Sequence, residues 1–232
     1  MEATTEHTLP IAVTIGEPSG IGPEVILKAW YKRKENGLNP LIGSADILQK
    51  QAADLNLKVP LSVIASPLQA VHVFENTLPV IDLTSEGDFE FGAPTQQTAS
   101  MVIGAIDKAV ELILNGKARA MATAPIHKAA LYSAGFASPG HTEYLAELCY
   151  NHTGENCHPV MMLASEQLCV VPLTIHVALS QVPALLDQKL LIRTIGTVHD
   201  AMKNYFGLPF PRIAVAGLNP HAGEDNSNMH VS

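Results

Sequence analysis

The residues of this 232-residue chain that are equipped for chemistry are histidines, a lysine and glycines placed at the ends of short apolar runs. His141 lies in Ser138-Pro139-Gly140-His141-Thr142-Glu143-Tyr144. There Gly140 permits close backbone approach, and Thr142 or the loop caps a helix starting around Glu143. His141 then stands at the head of that helix with a ring nitrogen available to a ligand; a plain capping segment fits the same spacing. His176 closes the run Thr174-Ile175-His176, and His221 follows another in Gly217-Leu218-Asn219-Pro220-His221-Ala222-Gly223-Glu224. Two imidazoles at neighbouring strand ends can share a divalent ion, which usually takes three or more protein ligands. Hydrogen-bonded structural histidines are the alternative, and with 10 histidines in the chain coincidence is easy.

Three further segments compete for attention. Gly16-Glu17-Pro18-Ser19-Gly20-Ile21-Gly22 follows a β-rich run and precedes a helix start, where exposed N–H groups can receive an anion. Its G-x-x-x-G-x-G spacing is neither the dinucleotide fingerprint nor a Walker loop, and a tight turn needing positive φ is the other reading. Thr123-Ala124-Pro125-Ile126-His127-Lys128 puts a lysine just past a strand, either to anchor a phosphate or carboxylate or to face solvent at a helix start. Cys149, His152, Cys157 and His158 have ligand chemistry suited to zinc but lack a second spaced pair; reduced cysteines in a helix-end connection are the simpler explanation.

The elements that must position these groups alternate. Residues 10–15 predict a strand, and Pro23 and Glu24 suit the first turn of the next helix, with Ile26, Ala29 and Trp30 inward and Lys28, Lys32 and Arg33 outward. Further strands are expected near 40–43, 60–65 and 78–82, with a helix at about 45–55. Val102, Ile106, Ala109 and Ile113 share one face of a helix over about 96–115, stopped by Asn115-Gly116. Residues 119–124 read as a buried strand. Runs at 159–164 and 168–175 predict two strands joined at Ser165-Glu166-Gln167, possible partners in an antiparallel hairpin. A helix over about 188–206 turns Leu191, Ile195, Val198 and Met202 to one side, and residues 212–216 form a last strand. This order predicts an α/β fold with a mostly parallel sheet and flanking helices, whose ligands collect beyond the carboxyl ends of the strands.

Composition narrows the function classes. A net charge of −8 without a Lys/Arg-rich run argues against nucleic acid and anionic membranes as partners. No apolar run reaches the roughly 18 residues a membrane-spanning helix needs. The acidic start lacks a signal-peptide layout, and three cysteines are too few for a disulfide scaffold, so a cytoplasmic, reducing location is expected.

Together, Gly16–Glu24, Thr123–Lys128, Gly140-His141-Thr142-Glu143-Tyr144, Met161-Met162-Leu163-Ala164 and Gly217–Glu224 resemble, in order and along nearly the whole chain, the PdxA family. These are NAD-dependent 4-hydroxythreonine-4-phosphate dehydrogenases of vitamin B6 biosynthesis, similar in fold to isocitrate and isopropylmalate dehydrogenases. The resemblance implies that His141 and Thr142 contact a small phosphorylated substrate. It implies that His176 and His221 are two of three histidines binding a divalent metal (Zn, Mg or Co) at a site shared between two subunits of a homodimer. It also implies NAD or NADP as hydride acceptor, with cofactor-binding and catalytic residues unassigned.

The resemblance carries one departure. Family members are longer, and after Glu224 this chain reads Asp225-Asn226-Ser227-Asn228-Met229-His230-Val231-Ser232 instead of continuing through another helix. The expectation is a single region over residues 1–232, or two interleaved subdomains, with an incomplete fold whose C-terminal part, carrying the third metal histidine, is missing. Related dehydrogenases of four-carbon sugar-acid phosphates, and a non-catalytic remnant, are the competing functions.

Overall fold

The computed structural model describes residues 9–32, 39–83, 89–138 and 140–219. Backbone contacts divide the chain after Glu155 into two compact units.

The first unit is built on five parallel strands among the described residues: β1 (Ile11–Thr14), β2 (Leu41–Gly43), β3 (Leu61–Val63), β4 (Leu78–Asp82) and β5 (Ala120–Thr123), in the order β3-β4-β2-β1-β5. Its helices are α1 (Gly22–Tyr31), α2 (Ala45–Asp54), α3 (Ala70–Val73), α4 (Gln96–Leu114), α5 (Lys128–Ser133) and α6 (His141–Thr153). The expected α/β architecture is present. β-Branched residues fill β1, and its side chains alternate between two cores. Val13 and Ile15 join Leu41 and Val80 against Leu27 and Trp30 of α1 and Ile47 and Leu48 of α2. Ala12 joins Ile42 and Ile81 against Ala105, Ala109 and Leu112 of α4. Helices therefore cover both faces of the sheet.

Local chemistry sets the helix ends. Ser44 caps α2, its Oγ accepting the Ile47 N–H, while Asp82 Oδ1 accepts the Ala45 N–H at 2.7 Å. Thr95 and Thr98 cap α4 reciprocally, each hydroxyl accepting the other's backbone N–H. Past Asn115, Gly116 turns the chain at φ +65°. Val102, Ile106 and Ala109 are buried and Ile113 is half-buried, as their spacing predicts.

Two expectations fail here. On α1 Trp30 is buried and Ile26 packs half-buried on the same core, as expected, but Ala29 is exposed and Leu27 is the other buried side chain. The strand at 119–124 forms over Ala120–Thr123 but is mostly exposed, because β5 is an edge strand, paired only with β1 among the described residues.

The second unit holds a short antiparallel hairpin, β6 (Leu163–Ala164) with β7 (Cys169–Val170), followed by α7 (Val182–Leu185) and α8 (Gln188–Asn204). Ser165 Oγ accepts the Gln167 and Leu168 N–H groups and so holds the hairpin turn. The antiparallel option is realised, but each strand is two residues long, well short of 159–164 and 168–175. On α8, Val198 and Thr194 are buried and Leu191, Ile195 and Met202 half-buried, so the predicted face points inward. Residues 212–216 are not a strand: they pair with no neighbour among the described residues, and a strand exists only through pairing. Tyr205, Phe210 and Val215 are exposed around them. No helix among the described residues is long and apolar enough to cross a membrane.

Candidate active site

In the first unit the segments leaving β1 and β5 lie side by side, because the two strands are parallel neighbours in register from Ile11↔Ala120 to Thr14↔Thr123. Gly16 takes φ +70°, and a β-carbon there would meet the Pro125 carbonyl oxygen at 2.5 Å. Only glycine allows both the conformation and the approach. The Glu17 N–H then donates to that same carbonyl at 2.8 Å. At Gly22 a β-carbon would lie 2.3 Å from the Ile15 carbonyl oxygen, so the turn folds back on its own strand.

This geometry decides what the glycine turn can do. The Gly20 N–H donates to the Glu17 carbonyl, and the Ser19 N–H donates to Glu17 Oε1 at 3.0 Å. Ser19 in turn holds a neighbouring loop: its carbonyl accepts the Gly92 N–H and its hydroxyl donates to the Ala93 carbonyl. The N–H groups of Glu17, Ser19 and Gly20 are thus engaged internally, and Glu17, only 3% exposed, sets a carboxyl group where an external anion would go. The tight turn with positive φ at Gly16 is realised, and these three N–H groups are not open to an external anion.

Beyond β5, His127 caps α5, its Nδ1 accepting the Ala130 N–H at 3.2 Å. Lys128 is the first residue of α5 and faces solvent. Ala130 and Leu131 pack on Ala99, Val102 and Ile106 of α4, and Phe136, Tyr144, Leu145 and Leu148 close over the same cluster. α6 is held there by polar contacts too, with Tyr144 Oη donating to Asp107 Oδ1 and Ser138 Oγ to Glu147 Oε2.

His141 and Thr142 come together on the first turn of α6. The helix begins at His141, two residues earlier than expected, and its N-cap is Gly140 in extended conformation; no side chain caps it, so Thr142 is not the cap. His141 is half-buried, and its Nε2 is fully enclosed with no hydrogen-bond partner among the described residues. Burial holds its pKa below the usual 6.5, so the ring is neutral near pH 7. A neutral imidazole with an unused nitrogen can donate to, or accept from, one group of a small molecule.

In the second unit His176 is exposed and sits at φ +59°, a left-handed conformation uncommon for a non-glycine residue. It lies six residues beyond β7, in a bend, and so does not end a strand. His221 lies outside the described residues. No group of three or more His, Cys, Asp or Glu side chains able to hold a metal occurs among the described residues. His158 Nε2 instead pairs with Thr194 Oγ1 at 3.1 Å, and burial followed by the Arg193 charge lowers its pKa. The three cysteines form no disulfide.

Residues 37–228 match the family model described as pyridoxal phosphate biosynthetic protein PdxA. The chain belongs to the PdxA family. It is 47% identical over 222 residues to the 4-hydroxythreonine-4-phosphate dehydrogenase of Methylorubrum populi, covering 94% of this chain and 63% of that protein. The crystal structure of 4-hydroxythreonine-4-phosphate dehydrogenase from Klebsiella pneumoniae superposes with a TM-score of 0.81 at 35% identity, over 95% of this chain and 66% of that one. That of the Burkholderia phymatum enzyme gives 0.82 at 32%, over 93% and 64%. The chain therefore spans somewhat under two thirds of the length of the curated PdxA relative. Two residues escaped the sequence reading: Glu17, whose signal is an acid placed directly after a strand-end glycine, and Asp107, a charge on the helix that α6 packs against.

Proposed function

We propose that this chain contributes to NAD-dependent oxidation and decarboxylation of 4-phosphohydroxy-L-threonine, yielding 3-amino-2-oxopropyl phosphate for pyridoxal phosphate synthesis. The C3 hydroxyl is oxidised to a ketone, its hydride passing to the nicotinamide, and the resulting β-keto acid loses CO2. The observation carrying this reading is His141: a neutral, half-buried imidazole with an unused Nε2 at the head of a firmly packed helix, within a chain of this family.

His141 would orient the substrate by one hydrogen bond, and Thr142 beside it offers a hydroxyl as donor or acceptor. Because burial keeps the ring unprotonated, it adds direction without adding charge. His176 fits a divalent cation in donor chemistry, being an exposed imidazole on a strained backbone, and strain of this kind clusters at functional sites. With His221 it would hold Zn, Mg or Co in a site shared across a homodimer. Such a cation supplies Lewis-acid stabilisation of negative charge on oxygen.

The test is NADH formation by purified chain given 4-phosphohydroxy-L-threonine, NAD and each divalent metal in turn, with threonate and erythronate 4-phosphates as competing substrates. Turnover on the first substrate, lost in His141→Ala, supports the reading. Turnover only on the sugar acids, or undiminished turnover in His141→Ala, overturns it.

A further inference from the structure

The carboxyl group of Glu17 is the least explained polar group in the fold. It follows β1, which lies between β2 and β5, at the sheet end where ligands of parallel α/β folds collect. The residue is 3% exposed. Oε1 accepts the Ser19 N–H, which turns the carboxyl group back into the Gly16–Gly22 turn at the start of α1, a helix of 10 residues. Oε2 is fully buried and meets no hydrogen-bond donor among the described residues. Gly20 makes room for this arrangement, since a β-carbon there would press on the Glu17 carbonyl oxygen, Cβ and Cγ at 3.3–3.4 Å. Thr14, three residues earlier and 1% exposed, likewise has a buried hydroxyl without a partner among the described residues.

A buried carboxyl oxygen without a donor is costly, and a turn needing only a structural acid would satisfy both oxygens. We propose that the Gly16–Gly22 turn is a subsite for a hydrogen-bond donor of a small molecule, with Glu17 Oε2 receiving an O–H or N–H group. This inverts the usual role of a glycine turn before a helix. There the backbone N–H groups receive an anion; here Glu17 supplies the acceptor oxygen and the incoming ligand supplies the donor. The identity of the donor rests on the proposed function: either the ribose hydroxyls of the dinucleotide or the ammonium and hydroxyl groups of 4-phosphohydroxy-L-threonine.

The experiment compares the wild-type chain with Glu17→Gln, which keeps an oxygen for the Ser19 N–H but replaces the second acceptor with a donor. NAD and 4-phosphohydroxy-L-threonine are titrated separately by calorimetry, and thermal unfolding is followed without either. Affinity for one probe should fall about tenfold or more, and the probe affected names the donor. Equal affinity of both proteins for both probes overturns the proposal. If the wild-type chain binds neither probe, the family-based function fails on this chain, and the melting temperatures decide the subsite alone. A carboxylate kept for a ligand burdens the ligand-free fold, so Glu17→Gln should then melt higher; a lower melting temperature makes Glu17 a structural acid and ends the proposal.

Discussion

Tyr144 Oη donates to Asp107 Oδ1 at 2.5 Å, tying α6 to α4 one helical turn from His141. Burial, and then the hydrogen bond to Asp107, push the Tyr144 phenol well above its ordinary pKa, so the proton stays on tyrosine. The Phe136 ring meets Tyr144 edge-on with centroids 4.8 Å apart, which fixes the tyrosine from a second side. Tyr144→Phe keeps the ring packing and removes the hydroxyl alone. Urea unfolding should show a loss of about 1 kcal/mol, with Asp107→Ala, which removes the acceptor, giving a similar loss. The double variant should lose less than the sum, because both single changes break one contact.

The pH dependence of stability should carry the mark of His141. Its folded pKa lies below 6.5, so as pH falls below 6.5 the unfolded chain takes up a proton before the folded chain does. The stability from keeping the ring neutral is therefore present above pH 6.5 and lost as pH falls through the lower folded value. Thermal melts between pH 7.5 and 5 should show a smaller decline for His141→Asn than for wild type. His158 is shifted the same way, so His158→Asn should flatten the profile independently.

Two glycine substitutions should move stability in opposite directions. Gly16→Ala places a β-carbon 2.5 Å from the Pro125 carbonyl oxygen at φ +70° and should cost roughly 2 kcal/mol or more. Gly104→Ala, inside α4 with nothing within 4 Å of the added carbon, should stabilise by about 0.5–1 kcal/mol. Chemical denaturation of both variants separates backbone conformation from a general tolerance of added methyl groups.

His176 lends itself to separating stability from metal affinity. Glycine at φ +59° relieves the left-handed strain while loosening the unfolded chain, so His176→Gly should stay within about 1 kcal/mol of wild type. Zinc binding measured by calorimetry should nevertheless weaken at least tenfold if this imidazole is a ligand. Unchanged zinc affinity would remove His176 from the proposed metal site.

Periodicity was enough to read the parallel α/β plan, since strands and helices here bury residues at spacings of two and of three to four. The positions of β1 to β5 along the chain followed from short apolar runs, and the inner faces of α4 and α8 from spacings of three to four; the strand order in the sheet did not. Residue type made His141, Thr142 and His176 candidates, with Gly140 beside the first two, while the roles proposed for them rest on the family resemblance. What pairing and burial decide was not legible. Whether 119–124 is buried depends on which strands flank it, and whether 212–216 is a strand depends on having a neighbour at all. The glycine turn is the clearest case. Its residues permit an anion cradle, but the Pro125 carbonyl and the Glu17 carboxyl group engage its N–H groups through contacts across the fold and within the turn. Local sequence specifies which groups are available; only the packed chain determines which of them are already spent on each other, because hydrogen-bond partners and desolvation are properties of neighbours in space.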